Sequence, residues 1–189
     1  MDETLYPEGR PGKTARSPRR GDLKRICSEL NRLGARYMVV GGFAIIEAGY
    51  PRFTGDIDLL VDASLENEAR VFEALRILPD RAVNQLAAGD VSRHVVVRVA
   101  DEVVVDLMAN ACGIDYAEAE SEVVFREIDG VRIPFAKPEL LLKMKQTVRE
   151  KDIADRVFLK DLLNQTAEET SAPRPSFLDA LRRWWRKND

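Results

Sequence analysis

Asp56 and Asp58 stand two residues apart in Asp56-Ile57-Asp58-Leu59-Leu60-Val61, a stretch that otherwise has the aliphatic composition of a buried strand. Side chains alternate faces along a strand, so the two carboxylates project together while Ile57 and Leu59 enter the core. Carboxylates held that close repel one another and lose hydration. A hard divalent cation, which prefers carboxylate oxygen, offsets both costs. A bare D-x-D pattern also fits an edge strand with a solvated acidic face, but three neighbouring features favour the cation. Gly41-Gly42 follows the apolar run ending in Val40 and precedes a helical start. Glycine lets backbone approach closely there, and a helix start offers free N–H groups to phosphate. Asp106 is a lone carboxylate in a second aliphatic strand, and pairing of the two strands would bring it beside the first two. Arg52 and Thr54 lie just before the acidic strand, where they can bind phosphate or cap a turn. Carboxylates beside a glycine-lined phosphate cradle are what in-line phosphoryl transfer with two metal ions requires. A sparse set of aspartates suits Mg²⁺, which keeps several waters, or Mn²⁺ in its place.

The elements that must position these groups follow from the hydrophobic pattern. Leu23, Ile26, Cys27, Leu30 and Leu33 have helical spacing from Asp22, and Gly34 ends that helix. Residues 36–40 and 56–61 are strands, with a short helix or turn over 43–48 between them. Residues 65–78 form a helix that stops at Pro79. The runs Ser92–Val99 and Glu102–Ala109 form a hairpin turning at Ala100-Asp101, which puts His94 in a strand. Asp129-Gly130 turns a second hairpin. From Pro138 to about Leu163 the pattern is that of one helix, on which Lys145, Arg149 and Asp152 share a face. There Lys145 and Arg149 could neutralise phosphate while Asp152 orients them; a solvated salt-bridge face is the plainer alternative. The expected class is α/β (α+β): a mixed sheet flanked by helices and followed by C-terminal helices.

Composition sets the outer parts. The chain has 189 residues, of which 45% are hydrophobic and 32% charged, enough for a sizeable core. Residues 1–20, rich in Pro, Gly and Arg, read as a mobile tail, residues 21–136 as the core and 137–163 as the helical segment completing the site. Residues 164–175 read as a linker, and 176–189 as an amphipathic helix able to pack on protein, RNA or a membrane surface. The net charge of −3 combines two basic ends with an acidic body, which argues against a broad nucleic-acid face on the core. No run is long and apolar enough to span a membrane. Nothing marks secretion, and Cys27 and Cys112 lack metal-like spacing, so a reduced, cytoplasmic protein is expected. No nucleophilic triad can be built around His94, and isolated cysteines are ordinarily buried small hydrophobes.

The spacing G-G-x13-D-I-D, with an Asp in an aliphatic strand about fifty residues on, resembles the DNA polymerase β-like nucleotidyltransferase superfamily. The block VVGGFAIIEAGYPRFTGDIDLLV is similar to the AbiEii-type nucleotidyltransferases, toxins of bacterial toxin–antitoxin systems. A second block, KPELLLKMKQTVREKDIADRVFL, matches that family's lysine and R-x-K-D-x-x-D pattern at Lys145, Arg149, Lys151, Asp152 and Asp155. The resemblance covers roughly residues 36 to 163. It implies a polymerase β-like fold, Mg²⁺ on Asp56, Asp58 and Asp106, and a role for Asp106 in deprotonating the acceptor. It implies further that Gly41, Gly42 and Lys145 hold the triphosphate, with Arg52, Thr54, Arg149, Lys151 and Asp152 completing the nucleotide site. Many superfamily members carry Gly-Ser where this chain has Gly41-Gly42; Thr54 or backbone N–H groups could replace the missing hydroxyl. The implied reaction moves a nucleoside monophosphate from an NTP to an acceptor hydroxyl, with release of pyrophosphate. The implied biology is a toxin acting on RNA, such as a tRNA 3′ end, with a cognate antitoxin protein. An antibiotic nucleotidyltransferase and a non-catalytic nucleotide-binding module are the alternatives.

Overall fold

A computed structural model of the protein describes residues 4–5, 14–146 and 149–171. Its elements are β1 (Thr4–Leu5), α1 (Arg20–Arg32), β2 (Tyr37–Val39), α2 (Gly41–Glu47), β3 (Asp56–Val61), α3 (Leu65–Leu75), α4 (Asp90–Arg93), β4 (Val96–Ala100) and β5 (Val104–Met108). There follow β6 (Asn110–Ala111), β7 (Ile114–Asp115), α5 (Tyr116–Ala119), β8 (Val123–Ile128), β9 (Val131–Ala136), α6 (Pro138–Met144) and α7 (Glu150–Ser171). Among the described residues, one mixed sheet has the order β1-β4-β5-β3-β2-β9-β8, and β6-β7 forms a small separate ribbon. This is the α/β class expected.

The acidic strand lies inside the sheet, with β2 antiparallel on one side and β5 parallel on the other. Its alternation holds at the start: Ile57 and Leu59 are fully buried while Asp56 and Asp58 are partly exposed. Both expected hairpins form, β4 with β5 and β8 with β9, but the first turns over residues 101–103 and not at Ala100-Asp101, because Ala100 is itself paired with Val104. At the second turn Asp129 and Gly130 both take positive φ, as a tight two-residue connection demands. Helix α1 packs on α3 and β9, α2 on β3 and α6, and α6 on α7.

Several expectations change. Residues 138–163 are two helices, because the chain breaks between Met144 and Glu150. The Arg156 guanidinium, from α7, donates to the Lys145 carbonyl at the end of α6 and so holds the two helices together at this point. The helix α7 then runs to Ser171, so residues 164–171 are helical and not linker. Their Ala and Glu content favours helix, and the polar side chains described there are mostly exposed. The first twenty residues are not wholly a free tail. Thr4–Leu5 pairs in parallel with Val96–Val97, and Arg16 forms ion pairs with Asp22 and Glu102. His94 lies between α4 and β4, its Nδ1 2.9 Å from the Asp90 carbonyl, and not within a strand. Cys27 is buried, which pushes its thiol up to about 12, whereas Cys112 is exposed. The helix expected over 176–189 lies outside the described residues.

Candidate active site

Register brings the three carboxylates together. In the parallel pairing of β3 and β5, Asp58 is the direct partner of Asp106. Asp56 lies two residues back on the same face, and the three side chains each offer an oxygen within 4.8 Å of the others. Asp106 is buried, and the other two are partly buried. Burial, reinforced by the Asp56 and Asp106 charges, pushes the Asp58 carboxyl up to about 6, against the pull of the Gly42 N–H and Lys145. Such a site is short of positive charge, and its hard oxygen donors fit a divalent ion.

The glycines have a steric task. Gly41 has φ +58, and a Cβ built on it would sit 1.9 Å from Asp58 Oδ2. A Cβ on Gly42 would lie 2.1 Å from the Thr54 hydroxyl. The first turn of α2 can therefore lie against β3 only because neither position carries a side chain. The Gly42 N–H donates to Asp58 Oδ2 at 3.2 Å. Thr54 Oγ1, 3.3 Å from Asp56 Oδ1, places its hydroxyl in the space that a side chain at position 42 would fill.

On the α7 side, Lys145 spans the helix break. Its Nζ lies 3.1 Å from Asp152 Oδ1 and 3.1 Å from Asp155 Oδ2, two carboxylates without solvent exposure. Asp152 also accepts from Arg149 Nε at 2.8 Å, and Asp155 pairs with Arg52 Nε at 3.2 Å. Lys145, Arg149 and Asp152 thus converge, but through side chains reaching across a break and not along one helical face. Lys151 is exposed on the first turn of α7, outside this cluster of ion pairs. Asp155 ties Lys145 to Arg52, and so α7 to the segment preceding β3.

One residue at the site was not anticipated. Arg98 on β4 is the antiparallel partner of Asp106, and its Nε and Nη2 lie 2.8 Å and 2.6 Å from the two Asp106 oxygens. The same Nη2 is 3.1 Å from Asp56 Oδ2. A turn at Ala100-Asp101 would have paired residue 98 with residue 103; the observed pairing of Ala100 with Val104 is what sets Arg98 opposite Asp106.

These features can be set beside known proteins. The profile of the family described as "Nucleotidyl transferase of unknown function (DUF2204)" matches residues 19–171, which include every site residue above. The chain belongs to this family. As a member of it, the protein is a nucleotidyltransferase, and the carboxylate cluster is where a nucleotidyltransferase would hold metal. No functionally curated protein matches the sequence. Among solved structures, the chain is similar to a Thermotoga maritima protein whose crystal structure was solved as that of a candidate nucleotidyltransferase. That likeness has 16% identity and a TM-score of 0.45, and covers 90% of this chain and 97% of the other. Among the described residues, no helix is long and apolar enough to cross a membrane.

Proposed function

We propose that the protein transfers a nucleoside monophosphate from an NTP to an acceptor hydroxyl with the help of Mg²⁺ or Mn²⁺, releasing pyrophosphate. The observation that carries this reading is the convergence of Asp56, Asp58 and Asp106 against the first turn of α2. The three aspartates would hold the ion, which supplies Lewis acidity toward phosphoryl oxygen when bound. The Lys145 charge is felt at Asp58, whose carboxyl it draws down against the effect of burial. The lysine ammonium would stabilise the charge that builds on the departing pyrophosphate. Asp152 and Asp155 hold that ammonium in place, while Arg52, Thr54 and Arg149 line the approach. Asp106 would accept the proton of the attacking hydroxyl.

For the acceptor we favour RNA, and for the biology a toxin held in check by a cognate antitoxin protein. The support is the resemblance of the two sequence blocks to AbiEii-type enzymes, together with the basic residues that the acidic body leaves to the chain ends. The test is to incubate the protein with each of four α-labelled NTPs, Mg²⁺ and total RNA. Label should enter RNA from one NTP preferentially, and Asp56→Asn should abolish the signal. Label confined to small molecules would sink the RNA assignment, and undiminished transfer by Asp56→Asn would sink the metal site.

A further inference from the structure

We infer that Arg98 is an internal counter-cation that occupies the carboxylate cluster in the metal-free protein and is exchanged for the divalent ion on loading. The inference rests on the metal-dependent reading above and assigns a role to a residue that reading does not need. Arg98 makes the bidentate contact with Asp106 that guanidinium geometry favours, and shares one nitrogen with Asp56. These are two of the three oxygen donors proposed for the metal. Asp58, the third, is engaged on another side by the Gly42 N–H.

Charge balance favours each state in turn. Without an ion, three carboxylates within 4.8 Å need positive charge, and Arg98 delivers it from the adjacent strand. With an ion bound, the guanidinium and the cation would draw on the same two carboxylates, and the repulsion between the two positive charges favours departure of Arg98. The Arg98 side chain is 37% exposed, against 7% for that of Asp106. A long side chain with one flank in solvent can swing outward, which a buried arginine could not do without unfolding its surroundings. Lys145 differs in this respect. It is buried and clamped by two fully buried carboxylates of α7, so it is a fixture of the site while Arg98 is replaceable.

Two opposite effects on one variant follow. Removing the side chain's charge, as in Arg98→Met, takes away the competitor and one positive charge, so divalent ions should bind more tightly. About tenfold is the expected gain, the scale of one charge-assisted hydrogen bond no longer broken on loading. The same variant leaves the carboxylates unopposed, so its metal-free form should melt at a lower temperature than the parent. Saturating Mg²⁺ should then raise its melting temperature by more than it raises the parent's.

The experiment is a calorimetric titration of full-length protein with Mn²⁺, with melting curves in EDTA and in Mg²⁺. Arg98→Lys is run alongside, because it keeps the charge but loses the bidentate fork and should fall between parent and Met variant. Tighter Mn²⁺ binding with a lower metal-free melting temperature supports the exchange. Unchanged or weaker binding by folded Arg98→Met and Arg98→Lys overturns it and makes Arg98 a structural support for the loaded site. If the parent itself binds no Mn²⁺ while Asp56→Asn loses nucleotide transfer, it is the metal-dependent reading that fails.

Discussion

Lys145 and Asp155 meet at 3.1 Å although they lie on either side of a helix break, one at the end of α6 and the other in α7. Asp152 completes the clamp, so the lysine is buried among carboxylates instead of extended into water. Burial of an ammonium is tolerated only with this compensation. The clamp costs the lysine its freedom and fixes a charge that draws the Asp58 carboxyl down.

Lys145→Ala should therefore lower both turnover and stability. Turnover should fall by ~10²-fold, the scale of a lost charged stabiliser. Stability should fall by about 3 kcal/mol, the low end for breaking a buried pair, because Arg52 and Arg149 still face the two carboxylates. Lys143 is exposed two residues away, and Lys143→Ala should change neither quantity appreciably. Steady-state rates and denaturant melts on both variants decide the matter. Equal small effects would mean that the basic surface acts only generally.

Asp155 is the link between Lys145 and Arg52, so Asp155→Asn should disturb both without touching the aspartate cluster. The expected signature is a rise in KM for the NTP of about tenfold, one charge-assisted interaction in size, with Mn²⁺ affinity unchanged. A loss of Mn²⁺ binding by a folded Asp155→Asn would show instead that α7 shapes the metal site itself.

What could be read in the sequence was local or periodic. The D-x-D alternation and the Asp129-Gly130 turn each depend on residues near in sequence and appear where expected, whereas the first pair of β-branched runs forms its hairpin with a later strand start and a later turn. Asp106 was legible because a lone carboxylate in an aliphatic strand is costly without a reason. The Arg52–Asp155 link was not legible, since it joins residues about a hundred apart with no shared periodicity. The break after Met144 was missed because the apolar spacing runs on across it, and only the tertiary contact of Arg156 with the Lys145 carbonyl reveals it. Residues 164–171 misled for the opposite reason. Their polarity matched a linker, yet a helix already begun can extend through good helix formers with its side chains in solvent.

Gly41 and Gly42 offer a steric test. At Gly41, alanine would meet the Asp58 carboxylate and must also hold φ +58, which costs a residue with a Cβ about 1–2 kcal/mol. Gly41→Ala should thus be destabilised by at least that much and should lose transfer, because Asp58 must move. Gly42→Ala should push Thr54 aside and impair activity with a smaller stability loss, since its φ is ordinary. Gly21→Ala, in the first turn of α1 with open space around it, should be neutral or slightly stabilising. Thermal melts of the three variants rank them, and a Gly41→Ala protein as stable as Gly21→Ala would contradict the close approach of α2 to β3.

The last prediction concerns the charge on Asp58. Its pKa in the folded, metal-free protein is raised from 3.8 to about 6, chiefly by burial and then by the neighbouring Asp56 and Asp106 charges. The folded state therefore binds this proton more tightly than the unfolded chain, and stability falls as pH rises between about 4 and 6. Below pH ~4 both states are protonated and the penalty is absent; above pH ~6 both are ionised and it is fully developed. Asp58→Asn removes the ionisation yet keeps a carbonyl oxygen to accept from the Gly42 N–H. In EDTA the variant should match the parent at pH 4 and exceed it at pH 7 by about 1–3 kcal/mol, each pKa unit being worth about 1.4 kcal/mol. Saturating Mg²⁺ at pH 7 should narrow or reverse the difference, because the ion stabilises the parent more than a protein lacking this ligand. Denaturant melts at the two pH values, with and without Mg²⁺, give four comparisons. A gain in EDTA that does not change with pH would trace the effect to packing at position 58 and not to its charge.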